Sequence, residues 1–78
     1  MFYVYILRSN SRKYIYVGLA KDVKKRFLQH QRGLNKTTKA YGPFELIRTE
    51  SFETRIEARK REKYLKSGSG KEWIKLML

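Results

Sequence analysis

Tyr3-Val4-Tyr5-Ile6-Leu7 and Tyr14-Ile15-Tyr16-Val17-Gly18 decide how this chain folds. In each stretch aliphatic residues alternate with phenols at a period of two, the spacing that sends successive side chains to opposite faces of a strand. Asn10-Ser11-Arg12-Lys13 between them is polar and turn-forming. The two stretches therefore read as a hairpin. Its aliphatic face suits a core. Its other face carries hydroxyls that can reach water or a ligand while their rings pack. Gly18 is expected to end the second strand, where the backbone bends or another group comes close.

Working outward, Asp22 is a good N-cap for a helix whose buried stripe is Val23, Phe27 and Leu28 and whose stop is Gly33. Arg26 and His30 are four apart and share one face of that helix. Leu34 to Pro43 is polar and basic and reads as a loop with room for one helical turn. Phe44 to Phe52 reads as a third strand, with Phe44, Leu46 and Arg48 on one face and Ile47 on the other. Thr54-Arg55-Ile56-Glu57 has the form of a capping box and opens a helix that runs through Glu62 and Leu65 to Gly68. Ser69-Gly70-Lys71-Glu72 is a second such box, before a short helix bearing Trp73, Ile74, Leu76 and Met77. Trp73 is expected to pack. The order is β-β-α-β-α-α. The fold class is α+β, a small three-stranded antiparallel sheet flanked by helices, with residues 1–78 as one domain.

Composition bounds the rest. A chain of 78 residues buries only about 60% of its unfolded surface. Its 41% apolar residues are expected to supply one small core and not two. With no Cys, a disulfide framework and a thiolate metal site are excluded. No apolar stretch approaches the roughly 20 residues that span a bilayer, and no secretory signal pattern is present. A cytoplasmic place, near the nucleoid in a bacterium, is the expectation, with no membrane partner. Nineteen Lys and Arg stand against seven Asp and Glu, a net charge of +12. Such a field favours a polyanion, and nucleic acid gains further from counterion release. Gly68-Ser69-Gly70-Lys71 lacks the spacing of an ATP phosphate loop and follows a helix.

Phenols, a fixed cation and an imidazole within thirty residues of a basic chain make a suitable inventory for phosphodiester cleavage. Tyr3-Val4-Tyr5, Tyr16-Val17-Gly18, Arg26, His30 and Glu62 together resemble the GIY-YIG nuclease domain family. The length and the segment Arg61-Glu62-Lys63-Tyr64-Leu65-Lys66-Ser67-Gly68 resemble its small stand-alone bacterial members, the UPF0213 group. The resemblance covers essentially the whole chain.

That resemblance implies a role for each residue. Tyr16 is the general base that takes a proton from the attacking water. A free phenol titrates near 10, so an adjacent cation is needed to favour its phenolate. Arg26 can supply that cation and also stabilise charge growing on the phosphate oxygens. Glu62 is the single carboxylate that holds Mg²⁺ or Mn²⁺. Tyr5 holds a phosphate or water, and His30 assists proton transfer or binds phosphate. Lys21, Lys24, Lys25, Lys36, Lys39 and Lys63 are candidates for backbone contacts to DNA, which position a duplex without reading its sequence. Tyr14 and Tyr41 are candidates for base stacking.

The implied activity is metal-dependent hydrolysis of DNA, structure-guided or weakly specific, in repair or recombination. The substrate is branched, nicked or duplex DNA, with RNA left open, and the protein a monomer or weak homodimer. Each residue also has a plainer reading: strand packing for Tyr5 and Tyr16, a solvated charge for Arg26, a helix-end position for His30, a surface pair for Glu62. The chain departs from the family pattern in three places. Tyr3 stands where Gly is usual, Leu19 where some members carry Lys, and no Asn follows Glu62 to match the one in repair-incision members. These departures keep open a second reading, a nucleic-acid-binding module of the same fold without turnover. A third is a protein-interaction or ribosome-associated domain.

Overall fold

The computed structural model describes all 78 residues, Met1–Leu78. The elements follow the expected order: β1 Phe2–Ser9, β2 Ile15–Ala20, α1 Val23–Gln31, β3 Phe44–Phe52, α2 Arg55–Lys66 and α3 Gly68–Met77. A single 3₁₀ turn, Lys39–Tyr41, interrupts the loop between α1 and β3. The sheet is antiparallel throughout, in the order β2-β1-β3. The first strand in sequence is thus central, and β2 and β3 each leave one edge unpaired.

Both faces of the sheet are covered. Val4, Ile6 and Val17 pack with Ala58 and Leu65 of α2 and Ile74 of α3. On the opposite face Tyr5, Leu7, Ala20 and Phe44 form a second cluster, closed by Val23 and Phe27 of α1 and by Tyr14, Tyr16 and Tyr41. The expectation of one core is therefore corrected to two. The second is built from the phenol face: aromatic rings bury large apolar area while their hydroxyls keep hydrogen-bond partners.

Several local expectations also change. Gly18 does not end β2, which runs on to Ala20. Leu28 is 45% exposed, and the buried end of α1 is instead His30. Val23, Phe27 and His30 lie along one stripe, whereas Leu28 is rotated off it. In β3, Ile6 pairs with Arg48 and Leu7 with Leu46, so Ile47 is a bulge residue. The bulge sends Arg48 to the same face as Ile47, away from Phe44. There the Arg48 and Arg61 guanidiniums lie 5.1 and 4.8 Å from the Trp73 ring centroid. Trp73 packs, as expected. Glu50 holds both arginines, with Arg61 bidentate at 2.7 and 3.1 Å and Arg48 at 2.7 Å. Those bonds hold the Glu50 carboxyl below its usual range against the opposing effect of burial. Strand β3 and helices α2 and α3 are joined at this point.

The helix ends refine the capping pattern. Asp22 Oδ1 accepts from Lys25 N at 3.0 Å. Thr54 Oγ1 accepts from Glu57 N at 3.2 Å, but the Glu57 carboxylate takes the Thr54 hydroxyl and not its backbone N–H. The second box does not form. Ser67 ends α2 and caps α3, accepting from Gly70 N at 3.2 Å. A Cβ on Gly70 would run into the Tyr64 carbonyl and lie 2.5 Å from Leu65 Cα, so the missing side chain lets α3 turn tightly onto α2.

Candidate active site

Tyr5 and Gly18 are direct partners across β1 and β2, so their side-chain positions share one face. A Cβ at Gly18 would stand 2.5 Å from both Cζ and the hydroxyl oxygen of Tyr5. The phenol therefore lies over Gly18, toward the unpaired edge of β2. The close approach considered for Gly18 in the sequence is made by Tyr5 itself.

Helix α1 crosses this face and delivers His30 to the same point. The Tyr5 hydroxyl is 3.1 Å from His30 Nε2, and His30 Nδ1 is 2.8 Å from Thr38 Oγ1. Tyr5, His30 and Thr38 are 1%, 2% and 0% exposed. Tyr16 completes the cluster, its ring centroid 4.8 Å from that of His30 and 6.1 Å from that of Tyr5. Unlike them it is half-buried and reaches the surface. The row Tyr5–His30–Thr38 can carry its protons in either direction. With Nδ1–H donating to Thr38, Nε2 accepts from Tyr5; with the Thr38 hydroxyl donating to Nδ1, Nε2–H donates to Tyr5.

Electrostatics sorts the members of the cluster. Burial, then the neighbouring Tyr16, push the Tyr5 hydroxyl above the ordinary phenol range, opposed by the Arg26 cation. Tyr5 is thus a protonated hydroxyl. Burial, then Arg26, pull His30 below its ordinary value, so the ring is a neutral imidazole at pH 7 with one N–H and one lone pair. Arg26 is exposed, one turn before His30, and has no carboxylate partner. It is a cation without an ion-pair partner whose charge is felt at both Tyr5 and His30.

Glu62 comes from the other face of the sheet, on α2, and is 7% exposed. Its oxygens accept from Arg59 at 3.4 Å and Lys66 at 3.1 Å. These are partners at helical spacing, not the sequence neighbours Arg61 and Lys63. Its charge reaches the Tyr5 hydroxyl and adds to the rise there. No cluster of three or more His, Cys, Asp or Glu forms a closed metal cage. A single buried carboxylate offers one hard-oxygen donor, which suits a Mg²⁺-type ion that keeps waters and takes substrate phosphates for most of its shell.

Lys21, Lys24, Lys25, Lys36, Lys39 and Lys63 are all exposed, and none is ion-paired. Lys21 lies 5.1 Å from the Phe2 ring centroid. The rings of Tyr14 and Tyr41 stack on each other at 3.9 Å and 10°. The residue the sequence reading missed is Thr38. It sits in a loop of polar residues with nothing in its surroundings to mark it as buried, and only the return of that loop under α1 brings it to His30.

The comparisons with known proteins agree with this architecture. The GIY-YIG catalytic domain profile matches residues 1–75. A UPF0213 protein of Staphylococcus saprophyticus is 38% identical over 76 residues, covering 96% of this chain and 92% of the relative. A UPF0213 protein of Staphylococcus epidermidis is 37% identical with the same coverage. The solution NMR structure of a UPF0213 protein from Bacillus halodurans superimposes with a TM-score of 0.58 at 34% identity, covering 99% of this chain and 85% of that one. The chain belongs to the GIY-YIG nuclease domain family. Within that family it is similar to the staphylococcal UPF0213 proteins over nearly their whole length.

Proposed function

We propose that this chain, acting as one domain over residues 1–78, is a divalent-metal-dependent endonuclease that hydrolyses DNA phosphodiester bonds. The observation that carries the reading is the gathering of Tyr16 and His30 around buried Tyr5, with the charges of Arg26 and of Glu62, from the other face of the sheet, both felt at the Tyr5 hydroxyl. Tyr16, the phenol that reaches the surface, accepts the proton of the attacking water. Arg26, free of any carboxylate, stabilises the charge that develops on the phosphate oxygens. Neutral His30 moves a proton at Nε2. Tyr5 orients His30, since its hydroxyl is already engaged at Nε2. Glu62 would hold Mg²⁺ or Mn²⁺, displacing its surface lysine and arginine partners. That ion, when bound, polarises the phosphate and neutralises the leaving oxygen.

The exposed lysines of α1, of the following loop and of α2 hold the duplex by its phosphates. They read no bases, so cutting is structure-guided or weakly specific, as suits repair or recombination in the cytoplasm. No helix is long and apolar enough to cross a membrane.

The test is cleavage of supercoiled plasmid and of labelled branched DNA with Mg²⁺, Mn²⁺ or chelator, beside Tyr16→Phe and Glu62→Gln. Metal-dependent cutting by the parent alone is expected. Salt-sensitive binding without cutting under any of these conditions would move the protein to the binding-module reading.

A further inference from the structure

A groove of about 810 Å³ runs between the start of β2 and helices α2 and α3. Its floor is aliphatic, from Ile15, Val17, Leu65 and Ile74. Six cations line it, three from the end of β1 and the turn after it and three on the helices, and no acidic residue does. Three of the six, Arg12, Lys13 and Lys71, have no carboxylate partner. The rings of Tyr14 and Tyr16 turn to the opposite face of the sheet, against Tyr41 and His30, so no base can stack here. One side of the groove is the open edge of β2. Ser9 N donates to Tyr14 O at 2.9 Å. Bonded pairs recur at every second residue of an antiparallel ladder, so Tyr16 and Gly18 bond inward to Leu7 and Tyr5. Ile15 and Val17 then turn their backbone N–H and C=O to the open edge and their side chains to the groove. Over Ile15–Ala20 the strand has none of the charges or prolines that blunt an edge, whereas β3 has Glu45, Arg48 and Glu50.

We infer that this groove takes an extended acidic segment of a partner protein. The segment adds a strand to the open edge of β2, lays apolar side chains on the aliphatic floor and sets its carboxylates on the cations at the rim. Nucleic acid meets the cations but leaves the floor and the strand edge without partners. An alkyl chain with an anionic head fills the floor and meets the cations but leaves the backbone groups of Ile15 and Val17 unpaired. A second copy of this chain brings a net charge of +12 against the six cations. An acidic peptide satisfies all three features, main-chain bonds giving affinity and side-chain pockets giving selectivity. The inference does not depend on the nuclease reading: the six lysines assigned there to DNA lie outside this groove.

The test is binding of a labelled peptide, Glu-Glu-Val-Ile-Val-Glu-Glu, to the full chain, read by fluorescence anisotropy and by amide exchange in NMR spectra. Salt at about 0.1 M screens charges more than about 10 Å apart. The parent is expected to bind the peptide and to slow amide exchange at Ile15 and Val17, with the edge of β3 unchanged. A peptide with Ser in place of its three aliphatic residues should bind on the order of ten-fold more weakly. The double variant Lys13→Gln, Lys71→Gln should lose roughly five-fold in affinity for the first peptide. Both lysines are exposed and unpaired, and a melting curve checks that the variant folds. Absence of binding, equal binding of the Ser peptide, no loss in the double variant, or binding that leaves Ile15 and Val17 unprotected overturns the inference. So does displacement of the peptide by a blunt DNA duplex, which assigns the cations to nucleic acid, or by dodecanoate, which assigns the floor to a lipid tail.

Discussion

The Tyr5 hydroxyl and His30 Nε2 meet at 3.1 Å in the interior of a chain with only 16 buried residues. A small protein rarely buries titratable groups unless they are paired. Here each has its partner, and no buried side-chain polar atom is left unsatisfied. The cluster is therefore part of the second core as well as of the candidate active site, and its chemistry can be probed through stability.

Thr38 closes the row at His30 Nδ1. Thr38→Val keeps the shape and removes the hydroxyl, leaving a buried ring nitrogen unpaired. The expected cost is about 1–3 kcal/mol, read as a fall in melting temperature of about 4–8 °C per kcal/mol. Thr38→Ser should retain most of the stability. A Val variant as stable as the parent would mean that the bond carries no weight.

Gly18 is required by the Tyr5 ring that lies over it. Gly18→Ala should destabilise by about 1–3 kcal/mol through overpacking. In combination with Tyr5→Leu, which shortens the opposing side chain, the two costs should sum to clearly more than the double variant shows. Denaturant titration of the four proteins measures that coupling, and strict additivity would refute the contact.

His30 has a lowered folded value against 6.5 for the ordinary imidazole. The unfolded chain therefore binds a proton before the folded chain does as pH falls. This contribution to stability is complete above about pH 6.5 and is lost as pH drops from there toward the folded value. Glu50, also lowered but from 4.5, acts only in a lower window. Stability should thus be level from pH 8 to about 6.5 and decline below. In His30→Gln the decline should begin only near the carboxylate range. Chemical denaturation at stepped pH distinguishes the two curves.

Arg26 is exposed and without an ion-pair partner, yet its charge is felt at both His30 and Tyr5. Arg26→Gln should leave stability within about 0.5 kcal/mol. It should raise the His30 value measured by NMR titration, with the ring still below 6.5 because burial is the larger cause. If the nuclease reading holds, cleavage should fall by about 10²–10³-fold. A large loss of stability with no change at His30 would assign Arg26 a structural role.

The strands, the helices and their order could be read from residue spacing, because period two and period 3.6 are local properties of the chain. So could the sets Tyr5 and Tyr16, and Arg26 and His30, since neighbours on a strand or helix are fixed by geometry within a few residues. Features that depend on distant segments were not legible. The Ile47 bulge depends on pairing with β1, and it alone decides that Arg48 covers Trp73. Ser67, and not Ser69, caps α3 because Gly70 must lie against the backbone of α2.

Local pattern thus determined the α+β class, the element order and the candidates for chemistry. Tertiary structure decided which of them meet and in what state. The phenol face became a second core because α1 closed over it. Tyr5 became a buried protonated hydroxyl while Tyr16 stayed half-buried, although both lie on the same face of the sheet. Thr38 reached His30 only when its loop folded back. Burial and the distance between charges set protonation and hydrogen bonding, and both are properties of the packed molecule that residue order alone does not carry.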